Sequence, residues 1–257
     1  ANDLPNKPGA ARAGKGSALT LKAWCELFNA SPLKNPENNK ANWASAASTF
    51  KSVIDLGTYS LFANRETMFY ESNNSNSEVI FEKTYLGGTS IGNSRSGLQP
   101  ICYVGGTQNS WSGVNVTQEL VDEYAMANGI PITDPQSGYD PQNPYKNREK
   151  RFYQDIIYDG ADFMGYEAVY WTGSGSMNEL DLNFGSTGRP CTVYHSRKAI
   201  EPQYYVNGYN QLSSANWVIF RYAEVLLGYA EAQNEANGPD ESVYRTMNEI
   251  RARVDLP

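Results

Sequence analysis

The chain has 257 residues, with 21 Lys+Arg against 28 Asp+Glu. The resulting net charge of −7 argues against nucleic acid, which is bound by clustered cations facing phosphates. Eighteen tyrosines with only 19% charged residues exclude a disordered chain, which lacks aromatics, and fit a surface that makes hydrogen bonds and stacking contacts.

The length allows one large domain or two small ones, and a chain of this size buries roughly three-quarters of its unfolded surface. The single histidine, His195, rules out a zinc site built on several histidines within the chain. Cys25, Cys102 and Cys191 lie too far apart for a C-x-x-C metal site, and they are odd in number for a disulfide framework. No apolar run approaches the ~18 residues that would span a bilayer. No charged, apolar and small-residue series opens the chain, so either the protein has no targeting signal or the sequence begins after it.

Residues 1–15 read as a connector punctuated by Pro5, Pro8, Gly9 and Gly14. From Gly16 the spacing predicts a helix with Ala18, Leu21, Trp24, Cys25 and Phe28 on one face, with Trp24 and Cys25 expected in the core. Ser31-Pro32 stops it, because the residue before proline is pushed out of helical geometry. After an Asn-rich turn a second helix carries Trp43, Ala46, Ala47, Phe50, Val53 and Ile54 as one stripe. It ends at Gly57, where a left-handed cap is expected. Residues 16–57 thus form a helical hairpin.

Residues 78–82 (Glu-Val-Ile-Phe-Glu) read as a short strand, and 86–113 as a long Gly-, Ser- and Asn-rich loop with no regular element. Thr117 caps a short helix with Leu120, Val121 and Tyr124 on one face. A second loop spans 128–145, and Arg148–Arg151 form a helical turn. Phe152–Tyr158 and Glu167–Trp171 read as strands around Asp159-Gly160, and 173–189 as loop. Val218 and Phe220 end an extended segment. A buried helix then carries Tyr222, Val225, Leu226, Tyr229 and Ala230, and Asn237-Gly238-Pro239 ends it. Asp240 caps a last helix with Val243, Met247, Ile250 and Val254 on one face, making 222–254 a second hairpin. The fold class is mainly α. Tetratricopeptide-like hairpins, whose repeat is about 34 residues, carry a large irregular loop-rich face over 86–214 with a few short strands.

No catalytic constellation stands out. Gly173-Ser174-Gly175-Ser176 lacks the strand and helix of a nucleophile elbow, and no phosphate-binding Gly-x-x-x-x-Gly-Lys motif occurs. A Ser–His–Asp triad has only His195 to use, and a lone histidine without a local signature reads as structural. Glu167 and Asp181 are the sort of carboxylates a glycosidase needs, but nothing fixes their separation. The protein is therefore not expected to be an enzyme, and no metal or cofactor is expected. The loop aromatics carry more: Tyr103, Trp111, Tyr170 and Trp171 lie off any amphipathic stripe, and such rings offer an apolar face with a polar edge. That chemistry suits sugar rings. Trp111, Tyr103, Trp171 and Tyr170 are candidate stacking platforms, and Gln108, Asn109 and Asn115 candidate hydroxyl partners.

Several segments resemble the SusD/RagB family of surface glycan-binding lipoproteins of the Bacteroidetes outer membrane. Gly14–Ala23 followed by Ala30–Leu33 is similar to the family's "ATKGAALALKA…ASPL", and Trp43–Tyr59 to its "W..AA..A..VI..G.Y" helix. Glu78–Glu82 matches "EVIFE" and Thr117–Tyr124 resembles "TQELVDAY". Phe220–Leu227 with Tyr229–Ala232 resembles the most distinctive family signature, and Asn248–Pro257 its "N.IR.R..LP" ending. The resemblance implies one partial SusD/RagB-like domain over 1–257, an internal piece of a longer protein whose lipid anchor lies outside it. It also implies non-catalytic capture of oligosaccharide at the cell surface, for delivery to a SusC-like TonB-dependent transporter. It carries over no ligand contact. Arg221 and Glu224 are expected to pair near the start of their helix. A helical scaffold binding only protein, or a lid binding peptide, is the other reading. Convergence of Tyr103, Trp111 and Trp171 on one exposed site would decide between them.

Overall fold

The computed structural model describes residues 3–9, 12–87, 103–104, 107–108, 114–171, 192–206 and 212–257. These contain seven α-helices and short strands only. They fall into two compact units: Ala1–Arg65 with Ser75–Thr84 and Asn216–Arg253, and Glu66–Asn74 with Tyr85–Ala215 and Val254–Pro257.

The first unit is a stack of four helices: α1 (Lys15–Ala30), α2 (Lys40–Ile54), α6 (Tyr222–Asn237) and α7 (Glu241–Ala252). Helix α2 packs on α1 and on α6, and α6 packs on α7. Local chemistry sets the ends. Asn39 accepts from the Ala41 amide at the start of α2, and Gly57 beyond its end has φ +60°. Asp240 accepts from the amides of Ser242 and Val243 to open α7, and Gly238 closes α6 at φ +84°. The core between the helices holds Ala23, Phe50, Val53, Tyr59, Ile80, Tyr222, Val225, Leu226 and Tyr229. Gly228 faces Phe50 so closely that a Cβ there would lie 2.4 Å from the ring, which is why a glycine sits mid-helix despite its cost of about 1 kcal/mol. A two-stranded antiparallel sheet joins β1 (Val79–Lys83) to β8 (Trp217–Arg221).

Glu78, fully buried, ties this unit together. Its carboxylate accepts from Arg221 at 2.9 Å, Arg253 at 2.5 Å and the Phe62 amide at 2.9 Å. Arg221 also approaches Glu224 at 3.4 Å, so the expected pair is part of a larger network.

The face of α1 differs from expectation. Leu21, Trp24, Cys25 and Phe28 point to solvent, while Gly16, Ser17, Thr20, Ala23 and Ala30 are buried. Two faces of α1 satisfy the spacing rule, and the large rings of Phe50 and Trp43 already fill the interhelical space. Ala23 clusters with Phe50 and Ala30 with Trp43, and Leu19 and Leu27 pack partly buried against the same clusters.

The second unit carries β2 (Tyr103–Val104) paired with β3 (Thr107–Gln108), so the segment expected to be loop holds a short hairpin. It then runs through α3 (Gln118–Asp122), α4 (Lys150–Asp155), β4 (Ile156–Ile157), β5 (Asp162–Phe163), β6 (Tyr166–Glu167), β7 (His195–Ser196) and α5 (Pro202–Val206). Thr117 accepts from the Leu120 amide to cap α3, and Val121 is buried there while Leu120 is exposed. Phe152–Asp155 is helical rather than extended. Phe152 and Ile156, one turn apart, both enter a cluster with Val116, Val121 and Tyr194. Strands β5 and β6 are joined by Met164-Gly165, both at positive φ, the geometry of a two-residue hairpin turn. Many tyrosines are structural rather than surface groups: Tyr59, Tyr170, Tyr194, Tyr222 and Tyr229 are buried, and Tyr124, Tyr145, Tyr153 and Tyr158 ring Phe152.

Candidate functional site

The candidate site lies in the second unit, on a small ladder. The Val116 amide donates to the Tyr194 carbonyl at 3.1 Å, Asn115 bridges His195, and β7 pairs onward with β4. Onto this ladder folds the chain after β6. The Gly160 amide donates to the Ala168 carbonyl at 2.8 Å, and the Tyr170 amide to the Asp159 carboxylate at 2.9 Å. The Tyr170 hydroxyl shares a hydrogen bond with His195 Nδ1. Tyr170 is thus drawn into a core of Ile157, Ala161, Phe163, Ala168 and Ile200. Ala168, Val169 and Tyr170 are all buried, and the chain bends at Trp171, whose side chain stands outward, 53% exposed.

The sequence-derived candidates therefore divide. Trp171 stands free on an anchored backbone, and Asn115 is half-buried on the strand that bridges His195. Tyr170 is only 4% exposed, which gives it a packing and anchoring place rather than a ligand-facing one. Tyr103 and Gln108 sit on the β2–β3 hairpin, paired with each other in register. Trp111 and Asn109 lie outside the described residues, as do Asp181, Cys102 and Cys191.

Sequence reasoning read His195 as structural. It is fully buried, and its Nε2 has no hydrogen-bond partner. Burial lowers its pKa to about 4. Only its uniqueness in composition marked it. The unfolded chain protonates this histidine near pH 6.5, whereas the folded chain keeps it neutral until about 4. Folding stability therefore falls as pH drops from 6.5 toward 4, by about 3 kcal/mol in total. Urea midpoints measured between pH 7 and 5 should show this slope, and His195→Gln should flatten it. An unchanged slope would refute the assignment. Glu201, whose carboxyl burial raises, acts in the opposite sense.

A second polar cluster joins residues 130 positions apart. Glu201 accepts from the Glu71 amide at 2.9 Å and from Gln203 at 2.7 Å, while Tyr204 donates to the Glu71 carboxylate. Hydrogen bonds from Ser214 and Tyr204 hold Glu71 below the usual carboxylate range, and the bond to Glu71 pushes Tyr204 up to about 12. The loop after α3 is fixed by buried Arg148, which donates to the carbonyls of Val121, Tyr124 and Pro144. These groups bond one another and the backbone and shape the loops. Among the described residues no group of three or more His, Cys, Asp or Glu could hold a metal ion, and no helix is long and apolar enough to cross a membrane. What Trp171 offers is an exposed indole on a backbone held by the Tyr170 amide's bond to Asp159.

The stacked helices of the first unit define a helical-repeat fold, and the described residues of the second unit carry short helices and strands. The profile of the SusD family matches residues 77–257, and the chain belongs to that family. No curated protein matches it. It is similar to a SusD-like carbohydrate-binding protein of Bacteroides fragilis, with 30% identity and a TM-score of 0.77 over 99% of this chain and 48% of that one. A second SusD-like protein of the same organism matches with 26% identity and a TM-score of 0.74, over 100% of this chain and 50% of that one. The surface glycan-binding protein A of Bacteroides uniformis shares the fold, at 17% identity and a TM-score of 0.64 over 98% of this chain and 46% of that one. The chain thus spans about half the length of these solved structures.

Proposed function

We propose that the protein binds oligosaccharide or polysaccharide at a cell surface, without chemistry, and passes it to a SusC-like TonB-dependent transporter in the outer membrane. In this reading a lipid anchor outside residues 1–257 holds it there. The observation that carries the reading is the likeness to a solved SusD-like protein described as carbohydrate-binding, over 99% of this chain. The exposed Trp171, set on an anchored backbone, supports it chemically. Trp171 serves as one stacking platform. The segment carrying Tyr103, Gln108, Asn109 and Trp111 supplies the other, with Asn115 a hydroxyl partner.

A sugar stacked on an indole, taken by analogy with an aromatic pair, contributes on the order of 1 kcal/mol beyond its burial. A small site of this kind binds at about −4 to −8 kcal/mol, the millimolar to micromolar range. Many copies on one surface compensate through avidity. Because the contacts are neutral, binding should barely respond to salt.

The test is calorimetry with the hits of a glycan array. Trp171→Ala should weaken binding about tenfold, equal to about 1.4 kcal/mol, while leaving the melting temperature within a degree or two. Trp111→Ala should do the same. If neither change affects affinity, the ligand site lies elsewhere. If no glycan binds but a peptide or protein does, the carbohydrate reading falls. Release of reducing ends that one carboxylate substitution abolishes would overturn the non-catalytic reading.

A further inference from the structure

The hairpin of β5 and β6 is held to the β4–β7 ladder by a small contact. Ala161, Phe163, Ala168 and Tyr170 from the hairpin side meet Ile157 and Ile200 in one buried cluster. The Tyr170 hydroxyl bonds Nδ1 of His195 across the same contact, and His195 is the residue paired with Ile157 in the ladder. Arg197 donates to the Asp162 carbonyl beside it, at 2.9 Å. The next residue after Tyr170 is the exposed Trp171.

His195 has room for one ring proton only. The ring is fully buried, Nδ1 is committed to Tyr170, and Nε2 has no partner. A second proton would create a buried cation with an N–H that meets no acceptor. The ionisable groups around it are engaged elsewhere. Asp155, next to β4, accepts from Tyr124, and Asp159 accepts from the Tyr170 amide. Tyr158 packs on Phe152 and Tyr145. Beside His195 in the chain, Tyr194 donates to Gln118, Arg197 faces Glu66 at 3.8 Å, and Lys198 lies over Phe69. Glu201 accepts from the Glu71 amide.

We infer that His195 is a positioning residue for Trp171: the neutral ring holds the β5–β6 hairpin and the indole after it through Tyr170, and acid lifts the hairpin off the ladder in a local opening. The consequence for ligand, release on acidification, rests on the reading of Trp171 as a stacking platform. The opening is local because the contact is small, and such small units open at lower cost than the whole chain. The open histidine takes its proton near pH 6.5 and the closed one near 4, so the open fraction rises about tenfold per pH unit between them.

Amide hydrogen exchange of the folded protein reads the opening without any ligand. At pH 7 the Gly160, Ala168 and Tyr170 amides should be at least about tenfold less protected than those of α2, and their exchange should not respond to low urea. Between pH 7 and 5 their protection, corrected for intrinsic rates, should fall roughly twentyfold. One shared protection and urea dependence for the hairpin and α2 overturns the inference, and needs no variant to do so. His195→Gln should abolish the pH response of the hairpin amides, and a response that persists overturns the assignment to His195. Position is read by fluorotryptophan labelling, with the Trp171 fluorine signal assigned by Trp171→Phe. That signal should move with the same pH profile as the hairpin amides, and a signal that stays still while they open overturns the positioning role. Glycan affinity separates the two readings. If both ligand-free signals appear and no glycan binds, the positioning role stands and the carbohydrate reading alone falls. If glycan binds through Trp171 with an affinity that the open hairpin leaves unchanged, the positioning role falls and the carbohydrate reading stands.

Discussion

Replacing Glu78 by alanine is expected to destabilise the protein by about 3–5 kcal/mol, the cost of removing one partner from a buried ion network. The carboxylate is fully buried and serves Arg221, Arg253 and the Phe62 amide at once. Its loss leaves two guanidinium groups facing each other, with Arg253 only 6% exposed. Glu78→Gln keeps the volume but not the charge, so it should be nearly as damaging. Chemical denaturation with a far-ultraviolet probe measures both. A loss under 1 kcal/mol in either variant would show that water or rearrangement satisfies the arginines.

The second large effect separates two aromatic residues that look alike in the sequence. Phe50→Ala should cost about 3–5 kcal/mol, because the ring is completely buried and Gly228 cannot fill the space. Trp24→Ala within residues 1–257 should stay within about 0.5 kcal/mol, as substitutions at exposed positions do. Equal effects of the two substitutions on residues 1–257 would contradict the packing described for α1.

How much could be read from the sequence depended on how local each signal was. The stripe of α2 held because Trp43, Phe50 and Val53 are large and their alternatives are polar. The caps at Thr117 and Asp240 and the stops at Gly57 and Gly238 were legible because a cap acts within three residues. The face of α1 was misjudged because size was taken for burial; a helix packed against bulky partners buries its small residues. Glu78 gave no signal, since its partners lie 143 and 175 residues away. At the candidate site, Trp171 and Tyr170 look equivalent in the sequence. Their opposite placements follow from the hydrogen bond of Tyr170 to His195 and the bend at Trp171, neither of which composition reveals.

The helical unit is assembled from three separate stretches, with α1 and α2 at the start and α6 and α7 after residue 216. Its core therefore cannot close until α6 and α7 have been made. A loop of well over a hundred residues must be drawn in, and such long-range closure slows folding. Until α6 arrives, the Trp43, Phe50 and Val53 stripe has no partner beyond small-faced α1. A nascent chain thus carries an uncovered hairpin throughout synthesis of the segment between α2 and α6. It is expected to occupy chaperones during that interval, and to aggregate when residues beyond 216 are removed.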